Sequence, residues 1–290
     1  MESCFWPLEL SMDTKSIVQS NPKIKLNNGQ LIPQVGLGVY KLGPDIAEDL
    51  IRAAIETGYR RIDTAAFYKN EVEVGAGVRN CGLAREEIFV TTKIWNDDHG
   101  YDRSLQAIDE SLSRLNIDYI DMLLIHWPKP QEDLFVETWA AFQKAVEAGK
   151  ILGIGVSNFQ PNHLDKLIAA GGTVPAINQV ELHPGLQQAE VRAFNAAHGI
   201  ATEAWSPLAR GRFNEDPIVN RISAAHERSA AQVIIRWHLQ LGNLVIPKTA
   251  TASRLAENIS VFDFELSNQD MADLATLDAG LRTGPDPDEF

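Results

Sequence analysis

Cysteine is almost absent from the chain. Only Cys4 and Cys81 occur in 290 residues, and they follow no metal-ligand spacing, so we expect reduced thiols and a cytoplasmic setting. There is no HExxH string and no cluster of Cys and His, which removes the usual signals of a metal site. Basic residues are scarce too: 26 Lys and Arg stand against 39 Asp and Glu, a formal net charge of −13. Nucleic acid and anionic membrane demand a basic face, so neither is expected as the main partner, although a local basic cluster can still hold a small anion. Residues 1–20 carry Glu2 and Glu9 and no sustained apolar run. They match neither a signal peptide nor a membrane span, and we expect a disordered N-terminal extension with Met12 as an alternative start.

A complete glycine fingerprint is also missing. The dinucleotide pattern GxGxxG is approached at Gly36, Gly75 and Gly153, but Lys41, Asn80 and Asn158 occupy the final glycine position. GVSNF around Ser157 fails the nucleophile-elbow pattern GxSxG because Phe159 stands where the last glycine belongs, and hydrolase chemistry loses its main support.

What the chain does have is a repeated alternation. A hairpin is expected from Lys23 to Gln34, with Asn28 and Gly29 suited to the positive φ angles of a tight turn. Eight short β-branched runs follow, namely GLGVY, RRIDTA, IFVTTKI, YIDMLLIHW, ILGIGVSN, AINQV, ATEAWS and LVIPKT. Amphipathic stretches separate them, among them Asp45 to Thr57, Arg103 to Leu115, Asp133 to Ala148, Gln188 to His198 and Ser229 to Leu241. Strand and helix alternating eight times predict an α/β fold, a (β/α)8 TIM barrel with an N-terminal β-hairpin, as one domain over residues 21–290. The intervals Asp63 to Lys93, Lys93 to His126 and His126 to Ser157 are 30, 33 and 31 residues, close to one βαβ unit. From Ser206 to Lys248 the interval is 42. The excess, ARGRFNEDPIVNR, is polar and interrupted by Pro217, and reads as a long loop over the chemical face of the barrel.

Asp63, Tyr68, Lys93 and His126 each fall at or just beyond the end of one of these runs. A tyrosine hydroxyl has an ordinary pKa of about 10, and a nearby ammonium stabilises its phenolate. Lys93 supplies that cation, Asp63 keeps it charged, and His126 hydrogen-bonds a substrate oxygen or passes a proton. A buried ion pair with a core histidine explains any one of these residues alone; four at successive strand ends favour a general acid aimed at a carbonyl. Such an acid needs a hydride donor from elsewhere. In IPKTATASRLAEN, Lys248 and Arg254 flank small hydroxylated residues that enter a helix pattern, which suits either a phosphate dianion or a plain solvated helix start. Trp205, before the long loop, is placed to stack on a flat ring or to fill core.

GYRRIDTAAFYKNE, TTKIWN, LLIHWP, GVSNF, NQVELHP, AWSPLARG and IPKTATASRLAENISVFDFEL together resemble the signature segments of the aldo-keto reductase superfamily. The match is most similar to the bacterial branch that includes 2,5-diketo-D-gluconate reductases, down to a short tail, TGPDPDEF. The resemblance implies that Tyr68 is the general acid, with Lys93 and Asp63 lowering its pKa and His126 orienting the carbonyl. It implies that Ser157, Asn158 and Gln179 hold a nicotinamide carboxamide, that Trp205 stacks on the ring, and that Ser206 and Leu208 line the pyrophosphate path. Lys248, Thr249 and Arg254 would bind an adenosine 2′-phosphate, with Glu257 and Asn258 at the adenine, so the implied cofactor is NADPH. Where many members carry tryptophan after the first strand, this chain has Tyr40. Trp95 and Trp127 are expected as aromatic pocket walls, although core roles suit them nearly as well.

The tail has few bulky groups, which favours small aldehydes, ketones, dicarbonyls or keto sugars as substrates of a monomer without a metal. Two other readings keep the same barrel. Lys93 could form a Schiff base as in barrel aldolases, or the chain could be a sensor subunit that binds NADPH with negligible turnover.

Overall fold

The computed structural model describes residues 21–290, and the expected N-terminal extension, with Cys4, lies outside them. Strands β1 (Lys23–Lys25) and β2 (Leu31–Pro33) pair antiparallel. Eight parallel strands follow: β3 (Leu37–Gly38), β4 (Arg61–Asp63), β5 (Phe89–Ile94), β6 (Met122–Ile125), β7 (Ile154–Ser157), β8 (Ile177–Glu181), β9 (Ala201–Trp205) and β10 (Leu244–Val245). Each pairs with the next in chain order, and the parallel bridges Val35 to Val245 and Gly38 to Lys248 join the last strand to the first. Helices on the outside connect them, so the expected (β/α)8 barrel with its hairpin is the fold, and all eight expected strands are present.

Period-two alternation along the strands explains where the polar groups go. The outward residues Ile62, Val90, Ile94, Leu123, Ile125, Val156, Val180 and Ala204 join the helices in the main hydrophobic cluster. The inward positions near the strand starts, Phe89, Met122, Leu124, Ile177 and Leu244, form a second cluster with Leu26 and Ile32 of the hairpin. The hairpin therefore plugs the end of the barrel at which the strands begin. Nearer the strand ends the inner face turns polar, through Asp63, Lys93, Ser157, Gln179, Glu203 and Trp205.

Two local expectations need correction. The hairpin is not a two-residue turn: strand pairing stops at Lys25 and Leu31, which leaves a five-residue connection. Gly29 takes φ 88° while Asn28 is not in the positive-φ region. Asn28 instead uses its side chain, accepting from Gln30 N at 3.1 Å and donating to Gln30 Oε1 at 2.6 Å, the local competition typical of Asn. The stretch after β9 is not a long loop either. A 3-10 turn, Ala209–Gly211, leads to a helix, Pro217–His226, before the expected helix, here Ala230–Gln240. Pro217 starts the first helix rather than breaking it. It sits at the first helical position, and Asp216 Oδ1 accepts from Ile218 N and Val219 N at 2.9 and 3.2 Å.

Candidate active site

Lys93 is wholly buried on the inner face of β5. Its ammonium donates to Asp63 Oδ1 at 2.6 Å, one strand away, and to the Thr64 carbonyl at 2.8 Å. Asp63 is buried as well, and its second oxygen accepts from Gln179 Nε2 at 2.8 Å. The same amide nitrogen donates to Glu203 Oε2 at 2.8 Å, and Glu203 pairs with the buried Arg61. Arg61 in turn donates to the carbonyls of Gln34 and Val245 at 3.2 and 2.8 Å. One connected set of buried charges thus crosses the barrel from β4 through β8 and β9, each charge paired as burial requires. Burial pushes the Lys93 ammonium down, but Asp63, then Tyr68 and Glu203, more than offset it, and its pKa stands above the ordinary lysine value. Burial raises the Glu203 carboxyl, against the pull of Arg61.

Tyr68 ends a 3-10 turn, Ala66–Tyr68, just after β4. Lys93 Nζ lies 5.1 Å from the centroid of its ring. Burial pushes the Tyr68 hydroxyl up to about 12; Lys93 pulls it down, while Asp63 acting directly pushes it up. The family resemblance implies that both charged groups lower that pKa. Only Lys93 acts in that direction, and burial outruns it, so Asp63 serves the hydroxyl through Lys93. His126 follows β6 with its ring 5.7 Å from that of Tyr68, at 75°. Burial, then Lys93 and His99, hold its pKa well below the usual imidazole value, so the ring is neutral at pH 7. A neutral imidazole carries one N–H and can donate to a carbonyl oxygen.

The structure brings these four residues together and surrounds them with aromatic rings. Tyr40 packs on Tyr68 with centroids 4.8 Å apart. Trp95, half-buried, lies 5.1 Å from His126. Trp127 is buried, 6 % exposed, and touches Phe290 at 4.6 Å. Two members of this collar were not singled out in the sequence. Phe67 is exposed and stacks on Trp95 at 3.9 Å; its place next to Tyr68 on a three-residue turn was the available signal. Phe290 comes from the tail and lies 6.1 Å from Trp95. The tail therefore does contribute a bulky group, and it lands on both tryptophan walls.

Ser157, Asn158 and Gln179 adjoin this group on the next strands. Ser157 Oγ donates to the Gln179 carbonyl at 2.8 Å. Asn158 Nδ2 donates to the His126 carbonyl at 2.9 Å, and its Oδ1 accepts from the Trp205 indole at 2.7 Å. The chain leaves β9 in uncommon backbone geometry, with Ser206, Ala209 and Arg210 at φ 48°, 46° and 56°. Such non-glycine positions cluster where function over-determines the backbone. Leu208 sits among them, half-buried against the core. Lys248 and Thr249 follow β10, and Arg254, Glu257 and Asn258 lie on the helix after it, Ser253–Ile259. Lys248 and Arg254 are exposed, Thr249 and Asn258 buried, and Glu257 lies between. Neither Lys248 nor Arg254 has an acidic partner among the described residues. No group of three His, Cys, Asp or Glu among those residues could hold a metal ion, and no described helix is long and apolar enough to cross a membrane.

The strand ends of the barrel thus hold a buried lysine–aspartate pair against a tyrosine and a neutral histidine. Residues 34–279 match the model of the aldo/keto reductase family, and the chain belongs to that family, whose enzymes interconvert carbonyl and alcohol groups. It is 53 % identical over 270 residues to an aldo-keto reductase of Mycolicibacterium smegmatis, covering 93 % of this chain and 98 % of that protein. It is 47 % identical over 274 residues to the methylglyoxal reductase DkgA of Escherichia coli, with 93 % and 99 % covered. Among solved structures, a Gox0644 variant in complex with NADPH superposes with a TM-score of 0.89 at 44 % identity, covering 92 % of this chain and 98 % of that one.

Proposed function

We propose that the protein reduces small aldehydes, ketones, dicarbonyls or keto sugars to alcohols with NADPH, Tyr68 giving the proton. The observation that carries this reading is the 2.6 Å Asp63–Lys93 pair against Tyr68, beside a neutral His126. NADPH supplies the hydride when bound. The residues proposed for it are suited to its parts. Both Gln179 amide protons are engaged by carboxylates, which leaves its carbonyl oxygen, with the second lone pair of Asn158 Oδ1, to accept from a carboxamide N–H. Trp205 offers a partly exposed indole for stacking, and Lys248 and Arg254, two exposed cations without an acidic partner among the described residues, suit a 2′-phosphate beside Thr249.

In the proposed step, His126 donates a hydrogen bond to the substrate oxygen and holds it near Tyr68. As the carbonyl carbon is reduced, the oxygen takes the Tyr68 proton, and the phenolate left behind faces the Lys93 ammonium. Asp63 keeps that ammonium charged and fixed. The same pairing works against a Schiff base on Lys93, which needs a neutral amine. The likeness to a methylglyoxal reductase and the tight aromatic collar both support a small substrate. The test is loss of NADPH absorbance with methylglyoxal and a panel of small aldehydes, ketones and keto sugars. Turnover on that panel is the expected result, and NADPH binding without any turnover would overturn the proposal in favour of a sensor.

A further inference from the structure

The segment after the last helix, Asn268–Ala275, runs across the barrel mouth, and its course is set by a few contacts. Ala279 N and Leu281 N donate to the Gly185 carbonyl at 3.2 and 2.9 Å. Thr283 then donates both its N–H, at 2.6 Å, and its hydroxyl to Glu181 Oε1, while Gly284 N donates to Glu181 Oε2 at 3.1 Å. Farther on, Asp288 accepts from Gln131 Nε2 at its carbonyl, 2.9 Å, and lies 3.2 Å from His163 Nε2 through its carboxylate. Phe290 ends against Trp127 and Trp95.

Glu181 ends β8, is 1 % exposed, and stands in register with Trp205 on β9. It takes no part in the proton-transfer group. A buried carboxylate must find donors, and three of those it has come from the tail; His183 Nε2, at 3.3 Å, is the other contact. Charge-assisted bonds of this kind are about twice as strong as neutral ones. Gly284 sits where no side chain fits. A Cβ there would lie 2.5 Å from Cη2 and 3.4 Å from Cζ2 of Trp205, and 3.4 Å from Glu181 Oε2. The tail backbone is therefore pressed to the edge of the indole at the residues the carboxylate grips.

We infer that Glu181 is a positioning residue: by clasping the tail at Thr283 and Gly284 it fixes the orientation of Trp205 and the seat of Phe290 on the pocket walls. What those aromatics do for cofactor and substrate rests on the function proposed above. With the clasp closed, the indole edge has a wall and its N–H stays on Asn158. With it open, Trp205 gains room toward the tail and Phe290 leaves the rim. Cofactor and substrate binding then weaken, while Tyr68, Lys93 and Asp63 stay in place.

The test uses the full chain labelled with 5-fluorotryptophan, its Trp205 and Trp127 fluorine signals assigned through Trp205→Phe and Trp127→Phe. Thr283→Val removes one donor at nearly constant shape, Thr283→Ser keeps it, and Glu181→Gln removes the charge. Thr283 is only half-buried, so its two variants keep the test alive where Glu181→Gln does not fold. We expect Thr283→Val and Glu181→Gln to move or broaden both signals without any cofactor present. NADPH Kd and the KM for methylglyoxal should rise about five- to tenfold, less than a whole charge-assisted bond is worth because the bond acts on binding through Trp205 and Phe290, with kcat changed by less than about twofold and Thr283→Ser like the parent. Unmoved fluorine signals, or a Thr283→Ser variant that behaves like Thr283→Val, would overturn the clasp. A parent that binds no NADPH while the signals still respond would sink the cofactor reading and leave the clasp supported.

Discussion

Replacing Asp63 by Asn removes the carboxylate that accepts from the buried Lys93 ammonium at 2.6 Å and from Gln179 at 2.8 Å. An amide offers one oxygen where two donors converge, so one of them loses its partner. Breaking a buried pair by removing one member costs about 3–5 kcal/mol. Lys93 has one escape, loss of its proton, which from an ordinary lysine value of about 10.4 costs roughly 5 kcal/mol at pH 7 and sets the ceiling. That ceiling falls by about 1.4 kcal/mol for each unit of rising pH. The signs are opposite in parent and variant. In the parent the folded-state pKa of Lys93 is raised, so the stability from the pair is complete below the unfolded value and is lost only as pH rises through the folded one. In Asp63→Asn the folded-state pKa is depressed, the unfolded chain binds more protons, and the variant gains on the parent as pH rises. Urea denaturation at pH 7 and pH 9 should show the stability gap closing by about 1–3 kcal/mol, most where the gap at pH 7 already sits at the ceiling. Asp63→Asn with Lys93→Met removes both charges and should recover most of the stability without activity. A gap under about 1 kcal/mol at pH 7, a gap independent of pH, or a double variant no better than the single would refute the electrostatic account.

Other expectations follow from the same geometry. Tyr68→Phe should lower kcat at least about 10²-fold and leave NADPH affinity nearly intact by fluorescence titration; retained activity would remove Tyr68 as the acid. For Arg254→Ala, NADPH affinity should fall roughly fivefold, the scale of an exposed charge pair, with NADH little changed, and equal losses would end the 2′-phosphate assignment. His99 and His238 are held neutral by burial, with pKa values of about 4 and about 3. Between the ordinary value of about 6.5 and those values the unfolded chain binds protons that the native chain refuses, so stability should fall as pH drops below about 6.5. His238 Nε2 lies 3.3 Å from the Pro207 carbonyl and its Nδ1 3.3 Å from Asn243 Nδ2, contacts a Gln side chain can partly reproduce. His238→Gln should therefore flatten that acid slope in urea denaturation, and an unchanged slope would count against a buried neutral His238.

The sequence was readable where the physics is local or periodic. Asp63, Lys93, Gln179 and Trp205 fall on the inner face because side chains alternate along β-branched runs, and the thirty-residue spacing put those runs in the same barrel end. Local rules also misled: Asn28 and Gly29 suggested a two-residue turn, yet Asn28 spends its side chain on Gln30, and Pro217 read as a breaker although Asp216 before it is a helix cap. What lay beyond reach depends on distant pairs. Glu203 meets Arg61 across 142 positions, Gln179 meets Asp63 across 116, and Thr283 meets Glu181 across 102; no window on the chain contains both members. The Tyr68 pKa belongs to this second class. The charge of Lys93 was visible in the sequence, but the sign of the net shift is decided by burial, to which residues as distant in the chain as Tyr40 and His126 contribute. The list of neighbours gave the pull of Lys93 but not the opposing push of burial. Burial raises the Tyr68 hydroxyl above its ordinary value, and in the proposed reaction Lys93 is the cation that would face the phenolate left by proton transfer.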